Sequence, residues 1–180
     1  MKKLLNILLI LLTMIYSIWY SSLGGFRGNA GALSTIGLEH RVLFAIWGVM
    51  TYITLTLNII IGFKKTKFRF YIPLLVLSAM GMILTLICRF EYKYYYEYLL
   101  HCIGSMSFSI ITGITVLSLF ISRKRIGLSI ICTVILLTDL VLLLIFKETA
   151  IIELFPIFSG YIMLGILNFK KEKALIEAKR

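Results

Sequence analysis

The chain has 180 residues, 60% of them hydrophobic, and its mean hydropathy is +0.98. An ordinary soluble domain carries about 45–50% apolar residues, so a water-soluble fold of this length would leave a large apolar excess exposed, and the composition fits lipid instead. The formal net charge of +11 would suit a nucleic-acid binder, but its distribution along the chain argues against nucleic acid as a partner.

Six apolar runs follow in order, at 4–20, 42–62, 70–88, 98–121, 126–146 and 150–168. A helix needs about 20 residues to cross a hydrocarbon core of about 30 Å, and backbone amides in lipid must be satisfied within the segment. The expected fold is therefore all-α: a single domain over 1–180, with six transmembrane helices in one bundle. The first run follows Met1-Lys2-Lys3 and also resembles a signal peptide, but no small-residue cleavage site of the usual kind follows it. A retained helix with Trp19 and Tyr20 at the headgroups is the preferred reading. Residues 21–41 hold Gly24, Gly25, Gly28, Gly31 and Gly37, which predicts a turn-rich cap. The third and sixth runs carry Pro73 and Pro156 near their starts, where a missing amide is best tolerated. Residues 89–97 interleave tyrosines with charges, as an interfacial belt does.

Charge sets the expected orientation. Fourteen of the nineteen lysines and arginines lie at the N-terminus, in 63–69, in 122–125 and in the tail; the other five lie in the alternate segments, with six of the eight acids. Cationic loops stay in the cytoplasm, so both termini are expected there and the membrane is expected to be the plasma membrane. Anionic lipid headgroups are the default partner of the basic side, and a membrane protein partner is a further expectation.

Helical spacing marks the inward faces. His40, Phe44, Trp47, Thr51, Thr54 and Asn58 form one stripe if the second helix starts by residue 40, and His101, Ser105, Ser109, Thr112 and Thr115 form another beside Gly104. Ser78, Gly81, Thr85 and Arg89 align on the third run, and Thr13, Tyr16, Ser17 and Tyr20 on the first. Small and polar faces in lipid turn toward other helices. Close packing with interhelical hydrogen bonds explains this, and so does a polar pocket opening outward, because His40, Arg41, Arg89 and His101 gather near the outer ends. Asp139 lies in the fifth run, about 10 Å before its outer boundary. An acid at that depth pairs with a cation, protonates or faces water, and Arg89, His101 and Arg41 are the expected partners; a functional role and a structural ion pair satisfy the same energetics. The candidate cavity is thus His40, Arg41, Trp47, Arg89, His101, Ser105 and Asp139.

Catalysis has less support. Two histidines and three scattered cysteines make no metal framework, so no metal or cofactor is expected. His101 and Cys102 are adjacent and diverge by about 100° on a helix. Cys88 and Cys102 flank one outer segment and are sterically compatible with a disulfide, although buried thiols acting as small hydrophobes are the plainer reading. A non-catalytic protein binding a lipid or a membrane partner is the expected function. A solute-binding transporter component and an intramembrane hydrolase or transferase are the alternatives.

Six helices, the outward Ser21-Ser22-Leu23-Gly24, Leu100-His101 opening the fourth helix, Leu154-Phe155-Pro156-Ile157-Phe158-Ser159, and Leu164-Gly165-Ile166-Leu167 together resemble the DRAM-like and Frag-like superfamily of six-helix membrane proteins, in particular its bacterial members. That resemblance implies lipid handling or a membrane-partner role. The substrate-binding components of vitamin-uptake transporters also have six helices and a long outer segment after the first. Their small-residue spacing on that helix has no counterpart in Leu4–Leu12, which contains no alanine.

Overall fold

The computed structural model describes residues 2–25, 31–64, 66, 68–146 and 149–169. Among these residues the chain is helical, without strands. The elements are α1 (Lys2–Ser22), α2 (Leu33–Glu39), α3 (Arg41–Phe63), α4 (Tyr71–Ile87), α5 (Tyr95–Ser122), α6 (Ile126–Phe146) and α7 (Ala150–Phe169). Of these, α1, α3, α5, α6 and α7 are long and apolar enough to cross a membrane, while α4 has 17 residues and is shorter. The architecture is that of a multi-pass membrane protein. Arg27, Lys65, Lys67, Lys147, Glu148 and the tail beyond residue 169 lie outside the described residues, as do the side chains of Lys2 and Lys3.

Packing follows the polar stripes. On α3, Phe44, Trp47, Thr51, Thr54 and Asn58 are all buried, and α3 touches α1, α2, α4, α5 and α7. Three side-chain pairs tie it to α1: Asn6 with Asn58 at 2.8 Å, Thr13 with Thr54 at 2.8 Å, and Trp47 Nε1 donating to Ser17 Oγ at 3.1 Å. Asn168 of α7 donates to the Asn58 carbonyl at 3.0 Å. Lipid tails are as apolar as leucine, so no hydrophobic force drives helices together there, and such bonds with close packing supply the cohesion.

The α4–α5 pair uses small residues instead. A Cβ at Gly81 would lie 2.7 Å from Phe108 N and 2.8 Å from the Gly104 carbonyl, and one at Gly104 would lie 2.7 Å from the Gly81 carbonyl. The two backbones touch. Ser78 and Thr112 bond at 2.6 Å across the same interface. By contrast α6, the most apolar of the long helices, buries a single residue, Cys132, and packs on α5 and α7.

Three expectations are corrected. Residues 33–39 of the supposed cap are helical, and α2 buries Leu33, Ser34, Ile36 and Gly37 against Tyr20, Phe44 and Leu154. Tyr20 Oη donates to the Leu33 carbonyl at 3.0 Å, and the Glu153 carboxylate accepts from Leu33 N at 2.6 Å. Those distant contacts hold a helix too short to persist alone. α3 begins at Arg41, with His40 as its exposed N-cap, so the stripe starts at Phe44. Pro156 sits inside α7, beyond its first turn. It removes the amide that would bond the Ile152 carbonyl.

Gly104→Ala is expected to cost about 1–3 kcal/mol, the range for overpacking, read as a lowered melting temperature in detergent. Gly127→Ala, where a Cβ meets nothing within 4 Å, is expected to leave it unchanged.

Candidate functional site

The N-terminal ends of α3 and α5, the C-terminal end of α4 and the helix α2 line a cavity of about 360 Å³, called the outer cavity below, with Ser34, Arg41, Phe44, Arg89, Glu91 and His101 among its lining residues. His101 is 2% exposed. Its Nδ1 lies 3.1 Å from the Cys88 carbonyl and its Nε2 2.9 Å from Ser34 Oγ. A carbonyl only accepts, so Nδ1 donates, and in the neutral ring Nε2 accepts from the Ser34 hydroxyl. Phe44 and Phe90 flank the imidazole with ring centroids at 6.1 and 5.1 Å. The ring thus pins α2 to the α4–α5 corner, with neither nitrogen turned to the Cys102 thiol.

Both arginines are also engaged. Arg41 Nη2 donates to the Ile87 carbonyl at the end of α4. Arg89 Nε stands 3.9 Å from the Glu97 carboxylate, and its guanidinium lies 5.2 Å from the centre of the Tyr94 ring. Each cation therefore satisfies groups at the α4–α5 turn.

A second cavity, of about 420 Å³, lies deeper between α3, α5, α6 and α7. Trp47, Ser105 and Asp139 line it, as do Ser109, Thr112 and Glu153. Ser34 and Phe44 line both cavities and so form the partition between them. Trp47 spends its indole N–H on Ser17 of α1, which leaves its ring as wall. The Asp139 carboxyl is half-buried, and its buried Oδ1 has no hydrogen-bond partner among the described residues. None of the three cations expected to pair with Asp139 does so.

The seven residues singled out from the sequence are therefore divided. Arg41, Arg89 and His101 line the outer cavity, Trp47, Ser105 and Asp139 the deeper one, and exposed His40 lines neither. Ser34 and Glu153 were missed. For Glu153 a signal existed, since Glu153, Pro156 and Gly160 follow spacings of three and four and share one helix face. Ser34 had none, because its segment resembled turns. Cys88 and Cys102 are not joined by a disulfide. Among the described residues no three His, Cys, Asp or Glu side chains gather as metal ligands would. No family model, curated protein or solved structure matches this chain.

A carboxyl without a protein partner is a cost to the fold, because burying an unpaired polar group is unfavourable. Asp139→Leu is therefore expected to leave the melting temperature of lipid-stripped protein unchanged or to raise it, by up to about 2 kcal/mol equivalent. A loss above about 1 kcal/mol would reveal a structural partner.

Proposed function

We propose that this protein is a non-catalytic, six-span protein of the plasma membrane that binds a lipid-like amphiphile in the deeper cavity, with α4 as the remaining span and both termini cytoplasmic. One observation carries the reading. The cavity is walled by apolar side chains with a few polar groups, and its α6 side is a helix that buries only Cys132. Ligand pockets have this composition and fall in this size range, about 300–1,000 Å³. A wall that leaves most of its side chains to acyl chains is a route by which an amphiphile enters from the bilayer. The resemblance to the DRAM-like and Frag-like superfamily points to lipid handling as well.

A second reading, a solute-binding transporter component, draws on α2, which covers the outer cavity much as a lid segment would. A membrane partner protein co-purifying through α1 would favour it over the first.

Lipid extracted from protein purified in a mild detergent tests the main reading. Ser105→Trp fills the cavity from α5 and is expected to reduce a bound amphiphile by about tenfold or more, which corresponds to about 1.4 kcal/mol. Equal occupancy in both proteins would overturn the assignment. Orientation has its own check in intact cells with a cysteine-free background. A cysteine at Tyr96, 80% exposed, should react with a membrane-impermeant maleimide, and one at Lys124 should not.

A further inference from the structure

The deeper cavity has a one-sided charge. Among the described residues lining it, Asp139 and Glu153 are acidic, and there is no lysine, arginine or histidine. Glu153 already accepts a hydrogen bond from the first residue of α2. Asp139 differs, because its buried oxygen has no partner among the described residues. Among these, Arg41, Arg89 and His101 are engaged elsewhere, with the Ile87 carbonyl, with Glu97 and with Cys88 and Ser34. An ionisable group inside a span marks a ligand or ion pathway unless something pairs with it.

The rest of the lining agrees with an amphiphile. Phe44 and Trp47 contribute apolar wall, their ring faces stacked on each other, on Tyr20 and, for Phe44, on His101. Ser105, Ser109 and Thr112 add hydroxyl oxygens that can accept from a donor. Along α6 the lining runs from Cys132 to Leu143, about 16 Å of helix, enough to accommodate an apolar chain. At about 420 Å³ the space suits a single-chain molecule. A two-chain phospholipid would need well over the upper end of the usual ligand-pocket range.

We infer that the deeper cavity takes a single-chain amphiphile bearing a positive charge, an alkyl ammonium, with its cationic head against the Asp139 carboxylate and its chain along α6. This rests on the reading of the cavity as an amphiphile site and adds the charge and the chain number. Neutralising Asp139 abolishes the preference for a cation without closing the cavity, whereas filling the cavity abolishes binding of any amphiphile.

The test uses full-length protein in phosphatidylcholine nanodiscs and two probes of equal chain length, an alkyl amine and the matching alkyl alcohol. Each carries a photoreactive diazirine in its chain, and adducts are read by intact mass and mapped by peptide. Wild-type protein is expected to take up the amine about tenfold more than the alcohol, a difference equal to one desolvated charge pair, with adducts on α5 or α6. Asp139→Asn is expected to bring the amine down to the alcohol's level, and Asp139→Glu to restore the preference. Melting curves of each variant confirm the fold. Equal labelling by amine and alcohol in wild-type protein, lost in Ser105→Trp, overturns the charge assignment while leaving the amphiphile site in place. No labelling of the cavity by either probe overturns both. Full competition by phosphatidylethanolamine in the disc overturns the single-chain assignment in favour of a phospholipid headgroup.

Discussion

The bundle depends on one hydrogen-bonded seam, between α3 and its neighbours α1 and α7. Water drives apolar surfaces together in a soluble protein, but within lipid an apolar helix gains little by leaving acyl chains for another helix. Something directional has to hold the helices. In this protein it is Asn58, Thr54 and Trp47 on one face of α3, answered by Asn6, Thr13 and Ser17 on α1 and by Asn168 on α7. A buried polar group without a partner is expensive in hydrocarbon, so the same residues that bind in the right register penalise every other one. The seam specifies orientation as much as it stabilises.

The absence of such a seam on α6 explains the cavity. α6 offers the bundle mainly aliphatic side chains, and those are as well served by lipid as by protein. It buries only Cys132, and beside it lies the space lined by Ser105, Ser109, Thr112 and Asp139. At the other extreme stand α4 and α5, whose glycines bring two backbones into contact.

Much of this was legible in the sequence, for a reason particular to membranes. Six long apolar runs became helices with ends close to those expected, because unsatisfied backbone in lipid leaves few alternatives. Thr13, Ser17 and Tyr20 on α1, the stripe from Phe44 to Asn58 on α3, and Ser78, Gly81 and Thr85 on α4 are buried because lipid, unlike water, gives polar side chains no reason to face outward, whereas Arg89 lies beyond the end of α4 and is exposed. What was not legible depended on contacts across long stretches of chain. The α2 helix exists because Tyr20 and Glu153 hold its first residue, the latter from 120 positions away. Ser34 and Phe44 divide one expected pocket into two only once α2 is seated. The arginines looked like partners for Asp139 because they share its end of the bundle. They are instead held by carbonyl, carboxylate and aromatic groups of the α4–α5 turn, which spacing along a single helix does not reveal.

The brevity of α4 has a consequence for the surrounding bilayer. Seventeen helical residues extend about 25 Å, a few ångströms less than an average hydrocarbon core, while α5, bound tightly to it, has 28 residues. As the sixth span proposed above, a helix of that length calls for either a dimple in the lipid on the α4 flank or a pronounced lean of the paired helices. Each costs a fraction of a kcal/mol per ångström of mismatch. The α4 flank would then be a region of compressed, locally thin membrane, and copies of the protein would drift toward thinner bilayer and toward one another along that edge.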